Sequence, residues 1–298
     1  MKKNTQSLKV IIKKIFNLCA KINIVDNKIA LEYKKQKIRC PVHLSLGQEA
    51  LAAAIGCIIK KKDFVFSGHR SHAHYLVKNG SINKMISELY GKKNGCSNGL
   101  GGSMHLVDEN VNFMGSTAIV ANSIPVGVGY ALGNKIKNSN SRTYIFFGDG
   151  AVEEGVFYES INFAILKKLN IVFVCENNEF SVYSHINLRQ PKNRKIYKFC
   201  EALGIKSYKI TSSDPVSIYE KANKIINKNK NEPIFLEIDT FRNVEHCGPN
   251  NDDHLNYRSK NKIIYWERNN VMSLFAKKNY TKYLSFKKQM LIKKDLST

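Results

Sequence analysis

Two continuous apolar runs of strand length, residues 143–147 and 171–175, flank an amphipathic helical stretch at 154–168. A strand that is apolar at every position has no face to present to water. Two such strands joined by a single helix require a parallel sheet covered on both faces, which is the α/β architecture. Both runs end in polar residues: Gly148-Asp149-Gly150-Ala151 after the first, Glu176-Asn177-Asn178-Glu179-Phe180 after the second. Asp149 and Asn178 lie 29 positions apart. One strand, one helix and a second strand fit that gap, so both residues reach the same edge of the sheet. Ligands of open parallel sheets bind beyond the carboxyl ends of the strands.

The remaining chain fits the same plan. Residues 46–60, 81–91 and 215–228 carry helical apolar spacing. Residues 123–135 predict a small-residue helix in which Gly127, Gly129 and Ala131 permit close packing. Short strands are expected at 63–66, running into Ser67-Gly68-His69-Arg70, and at 233–238, ending near Thr240-Phe241-Arg242. Segment 91–117 is rich in Gly, Asn and Ser, and reads as a long irregular stretch, functional or disordered. Residues 243–259 read as a loop and 260–290 as a basic helix. Leu8, Ile11, Ile12, Ile15 and Leu18 make a helical stripe, so residues 1–21 predict a first helix rather than a leader. The expectation is one domain over residues 1–298, with this N-terminal helix and a basic C-terminal helical extension.

The formal net charge is +23 over 298 residues. Lys and Asn are abundant throughout, no basic stripe is interleaved with aromatics, and no zinc-finger spacing occurs. The charge therefore reads as dispersed composition, with no nucleic acid expected as partner, although phosphate-rich ligands are attracted by such a field. No apolar run reaches the ~18 residues a membrane span needs. The seven cysteines include no Cys-x-x-Cys pair, which argues against a disulfide framework or structural zinc and fits a reducing cytoplasm.

The polar strand ends suggest chemistry. Asp149 between two glycines, the amide oxygen of Asn178 and a backbone carbonyl near Phe180 are hard oxygen donors of the kind Mg²⁺ takes together with phosphate oxygens. The glycines let backbone approach a phosphate, and the following helix offers its N-terminus. The bland alternative is a Gly-Asp-Gly turn and an Asn-Asn cap. Glu153 and Glu154 read as partners of a helix dipole. His74 and His185 read as surface or capping residues.

Several motifs in order carry a family resemblance. They are Pro41-Val42-His43-Leu44-Ser45-Leu46-Gly47-Gln48-Glu49-Ala50, Gly68-His69-Arg70-Ser71-His72, Gly101-Gly102-Ser103-Met104-His105, Ile124-Pro125-Val126-Gly127, Gly148-Asp149-Gly150-Ala151, Cys175-Glu176-Asn177-Asn178, and Arg242 through His246. With them the chain resembles the α subunit of the thiamine-diphosphate-dependent 2-oxo acid dehydrogenases, the E1 component of pyruvate, branched-chain and acetoin dehydrogenase complexes. The resemblance implies the thiamine diphosphate-binding fold, with Asp149, Asn178 and the Phe180 carbonyl as Mg²⁺ ligands. It implies His69, Arg70 and His246 as diphosphate contacts, Gly150 and Ala151 as backbone near the phosphates, and Ala118 and Val120 as peptide groups holding the aminopyrimidine. His43 is similar in place to the catalytic histidine facing substrate, His246 is assigned with it as catalytic, and His105 lies in a matching active-site loop. Four positions depart from the pattern: His69 stands where relatives carry a phenol, Phe180 where Tyr is common, Ala118 where Gly is common, and Cys247 where animal pyruvate enzymes carry a phosphorylated Ser.

The resemblance further implies decarboxylation of a 2-oxo acid, or acetoin cleavage, with transfer of the acyl group to a lipoyl group on a partner acyltransferase. The glutamate that activates the pyrimidine ring has no candidate in this chain; in the family it comes from a β subunit, so an α₂β₂ assembly is implied. The N-terminal half of a split transketolase-like enzyme is the nearest alternative. A non-catalytic basic binding protein is another, and it predicts decay at Asp149, Asn178, Arg70 or His246, all of which are intact.

Overall fold

The computed structural model of the chain describes residues 2–271, 273 and 274. The order is α1 (Lys2–Tyr33), α2 (Glu49–Ile58), β1 (Phe64–Ser67), α3 (His72–Val77), α4 (Ile82–Leu89), β2 (Phe113–Ser116), α5 (Ser123–Ile136), β3 (Thr143–Gly148), α6 (Gly155–Leu166) and β4 (Ile171–Asn177). It continues with β5 (Phe180–Ser181), β6 (Ser184–His185), α7 (Ile186–Arg189), α8 (Ile196–Ala202), β7 (Lys206–Ile210), α9 (Pro215–Lys228), β8 (Ile234–Asp239) and α10 (Lys260–Asn269). The expected first helix runs on to Tyr33. Of the basic helix expected over 260–290, α10 covers Lys260–Asn269 and ends at Asn270, whose backbone is extended; residues 272 and 275–290 lie outside the described residues. No helix among the described residues is long and apolar enough to cross a membrane.

Six strands form one parallel sheet in the order β2-β1-β3-β4-β8-β7. Alternation along β3 and β4 divides the core in two, because successive side chains leave a strand on opposite faces. Tyr144, Phe146, Val172 and Val174 enter one cluster, with Ile15 and Ile22 of α1, Leu51 and Ile55 of α2, and Ile218 and Ile226 of α9. Ile145, Phe147, Phe173 and Cys175 enter the other, with Ile124 and Val128 of α5, and Phe157 and Ile161 of α6. Each such buried side chain contributes ~1.5–3 kcal/mol. α5 lies close to the sheet because Gly127 has no Cβ; one placed there would stand 2.6 Å from Ile145 Cδ1. α9 starts where Asp214 accepts the N–H of Val216 and Ser217 and Pro215 occupies the first turn.

The short elements α3, β5, β6, α7 and α8 were not expected, and both edge strands of the sheet differ from expectation. Segment 91–117 was expected to be irregular, yet it contains β2, which pairs with β1 at the sheet edge. β7 carries no apolar run because it is the opposite edge strand; only Ile210 at its end is buried. Strand order reverses between β1 and β3, whose other neighbours lie in opposite directions. Such a reversal opens a crevice beyond the strands' carboxyl ends.

Candidate active site

That crevice holds a cleft of about 970 Å³, counting its solvent-open mouth. β1 delivers His69 and Arg70, β3 delivers Asp149, Gly150 and Ala151, and β4 delivers Asn178 and Phe180. Ala118 and Val120 come from the connection before α5, and His43 and His246 from two loops. Every one of these residues lines the same cleft. His105 does not: its ring is exposed, because the turn that returns its N–H to the Gly101 carbonyl (3.2 Å) leaves Met104 as the lining residue.

At the β3–β4 end the donors are oxygens. Asp149 is buried at 1% exposure. Its Oδ2 accepts from Arg189 Nη2 at 2.6 Å, while Oδ1 is buried with no partner. Burial pushes the Asp149 carboxyl up, and the Arg189 guanidinium works against that. Arg189 also pairs with Glu153, so Glu153 serves this ion pair and not simply a helix dipole. Asn178 Oδ1 accepts the Phe180 N–H at 2.9 Å, which folds the chain back after β4. An unpartnered carboxylate oxygen, a neighbouring amide oxygen and glycine backbone at Gly150 form a hard donor set suited to Mg²⁺ beside phosphate.

The other end is built of nitrogens. The rings of His43, His69 and His246 meet edge to face, with centroids 4.7, 5.0 and 5.2 Å apart. Two backbone bonds bring the loops together: Asn243 N–H to the Leu46 carbonyl (3.0 Å) and Gly248 N–H to the Val42 carbonyl (2.9 Å). Gly47 permits this approach with φ +94°, since a Cβ there would lie 2.3 Å from the Phe241 carbonyl oxygen. Arg70, 8% exposed, locks the arrangement by donating to the carbonyls of Leu44 and His246. Burial first, then neighbouring imidazoles and Arg70, lowers the His43 pKa to about 2. Burial and Arg70 lower His69 to about 3 and His246 to about 4. All three rings are therefore neutral at pH 7, while Arg70, lowered to about 10 by burial, keeps its charge.

Sequence reading missed Glu88 and Asp26 behind the site and misplaced His74. Glu88 on α4 accepts four backbone N–H groups, from Ser97 (2.7 Å) and Gly99 (2.9 Å) at Oε2 and from Gly101 (2.6 Å) and Gly102 (3.2 Å) at Oε1. It thereby orders the glycine-rich stretch. His72 bridges Asp26 Oδ1 and Ser103 Oγ, both at 2.9 Å, and Ser103 Oγ accepts the His43 N–H at 3.2 Å. Nothing local marks Glu88 or Asp26; their partners are loop amides and a residue 46 positions away. His74, expected at the surface, is 1% exposed, stacked on Phe146 at 4.0 Å and hydrogen-bonded to Ser67 and Glu176. Its place on α3 points it inward over the sheet. His185 caps α7 as expected.

A family model described as "Dehydrogenase E1 component" matches residues 19–285. The chain is 35% identical over 236 residues to the pyruvate dehydrogenase E1 component subunit alpha of Rickettsia bellii, covering 78% of this chain and 71% of that protein. It is 34% identical over 252 residues to the same subunit of Rickettsia prowazekii, covering 84% and 76%. The mitochondrial subunit of Solanum tuberosum is 33% identical over 234 residues, covering 78% and 58%. The transketolase of Campylobacter jejuni superposes with a TM-score of 0.60 at 17% identity, over 94% of this chain and 50% of that one. This chain thus spans half the transketolase's length, and at that identity the likeness is one of fold. By sequence over most of its length and by the residues gathered in its cleft, the chain belongs to the dehydrogenase E1 component family.

Proposed function

We propose that this chain is the α subunit of a thiamine-diphosphate-dependent E1 enzyme acting on a pyruvate-like 2-oxo acid, with a lipoyl group of a partner acyltransferase as acyl acceptor. The observation that carries this reading is the convergence of an oxygen-donor set and a cationic, histidine-rich set in one cleft of a chain of this family. Thiamine diphosphate, when bound, supplies the carbanion chemistry that removes carboxylate from a 2-oxo acid. Asp149, Asn178 and the Phe180 carbonyl would hold Mg²⁺. Arg70, His69 and His246 would take the diphosphate, with Gly150 and Ala151 offering backbone. Ala118 and Val120 would offer peptide groups to the aminopyrimidine. Neutral His43, its backbone N–H held by Ser103, would face the substrate as a proton acceptor or donor.

Two features support a β-subunit partner in an α₂β₂ assembly. The carboxylates lining the cleft are Asp149 and Glu176, and both are engaged, with Arg189 and His74. A carboxylate for the pyrimidine ring must come from elsewhere. Ile119, Val120 and Val126 are exposed at 67%, 46% and 52%. Gly129 and Gly133 on the same helix as Val126 have open space around them, a surface suited to close helix packing.

The test is turnover. The chain co-purified with its β partner is expected to oxidise pyruvate with an artificial electron acceptor, and the chain alone to be inactive. Turnover by the pure chain overturns the shared-site reading; a complex that ignores every 2-oxo acid and acetoin overturns the reaction.

A further inference from the structure

We propose that His43, His69 and His246 form a nitrogen-donor site for a borderline-soft divalent cation of the Zn²⁺ type, separate from the oxygen donors around Asp149. The three rings arrive from three different segments, and one donor nitrogen of each lies within 4.8 Å of the others. His43 Nδ1 is buried with no hydrogen-bond partner, in a side chain only 6% exposed. Among the described residues no ring nitrogen of the three is hydrogen-bonded within the chain. Three imidazoles with a fourth position open to solvent are the donor set of exchangeable zinc sites. Contraction to the ~2.0–2.1 Å Zn–N bond takes about an ångström of movement per ring.

Cation chemistry decides which ion fits. Arg70 and Arg242 face the cluster and repel any cation. Mg²⁺, which gains mainly from charged and neutral oxygens, has nothing there to offset that repulsion. Cu²⁺, Zn²⁺ and Ni²⁺ bond strongly to imidazole nitrogen and do. His69 is decisive, because it stands where relatives carry a phenol; the third nitrogen is this chain's own. A cation bonded to the three rings takes up the nitrogens of His69 and His246, so a ligand that needs those nitrogens is excluded from them. That exclusion rests on the proposed function, whereas the site itself does not.

Isothermal titration of the purified full chain with ZnCl₂ tests this, in a Cys247→Ser background so that the exposed thiol beside His246 contributes nothing. One Zn²⁺ per chain is expected, with no comparable uptake of Mg²⁺ alone. His69→Phe is expected to weaken zinc by more than the roughly 10–100-fold that loss of an outer-sphere partner costs. His43→Gln does the same independently, so one misfolded variant leaves the other. The visible spectrum of the Co²⁺ form should report imidazole ligands at low coordination number. Zinc affinity unchanged in both variants overturns the proposal, as does its loss in Asp149→Ala, which places the ion at the carboxylate. Zinc that binds as expected but stays bound when the complex with the β partner takes up thiamine diphosphate and Mg²⁺ leaves the site standing and removes His69 and His246 from diphosphate binding.

Discussion

The two ends of the cleft are built in opposite ways. Asp149 and Asn178 follow directly on β3 and β4, adjacent strands paired along their whole length, Gly148 against Glu176. Their positions follow from the sheet. His69 follows β1, but His43 and His246 ride on loops and reach it only through bonds between segments far apart in sequence, such as Arg70 to the His246 carbonyl across 176 residues. One end is a by-product of secondary structure; the other exists only once the whole domain has closed. The oxygen end is therefore rigid by construction, and the histidine end is held by a few replaceable contacts.

The sharpest way to break this comparison is a ligand-stabilisation experiment. In the complex with its partner, saturating thiamine diphosphate and Mg²⁺ should raise the unfolding free energy by ~2.7 kcal/mol at a hundredfold excess over Kd. Asp149→Ala should erase that increase, because the buried carboxylate has no substitute. His43→Ala should retain most of it while turnover falls. Thermal shift of the two variants side by side checks this, and equal losses in both would show that the ends do not act separately.

The sheet, its helices and the oxygen end were legible because they repeat locally. Period-2 burial, apolar runs and polar strand ends all act within about ten residues. His69, Arg70 and His246 were legible as polar residues following two further strands of the same sheet, whereas His43 was legible only through family resemblance, since no local rule brings residue 43 to that edge. Glu88 was illegible for a related reason. A glutamate in an amphipathic helix reads as solvent-facing, whereas here it is fully buried and takes up four loop amides. The stretch 91–117 thus owes its order to one carboxylate outside it. His74 misled for want of context: a lone histidine gives no sign of the aromatic ring and carboxylate it will meet.

Glu88 offers the next test. Glu88→Gln keeps the shape but turns one oxygen into a donor facing backbone N–H groups. Leaving such buried donors unsatisfied costs ~1–3 kcal/mol. The loss should appear as faster amide exchange at Gly99, Gly101 and Gly102 and in the Ser103–His43 contact, while β3 and β4 stay protected. Uniform exchange across both ends would mean that the histidine end is no more dependent on loop contacts than the oxygen end.

The remaining effect is the one most specific to the histidines. All three rings are neutral when folded, with pKa values lowered to about 2, 3 and 4, and they regain the ordinary value near 6.5 when unfolded. Below pH 6.5 the unfolded chain therefore binds more protons than the folded one at these sites. Their contribution to stability is fully present above the unfolded value and is lost as pH falls toward the folded ones. Between about pH 6 and pH 4 the three together should add about two to three protons to uptake on unfolding, peaking near pH 5, and His69→Phe should reduce that by about one. The check is the difference in slope of unfolding free energy against pH between wild type and variant, which cancels the carboxylates common to both. An unchanged slope would mean that His69 is already protonated in the folded chain. The cluster would then hold its charge beside Arg70, and the histidine end would be an anion site first and a neutral nitrogen site not at all.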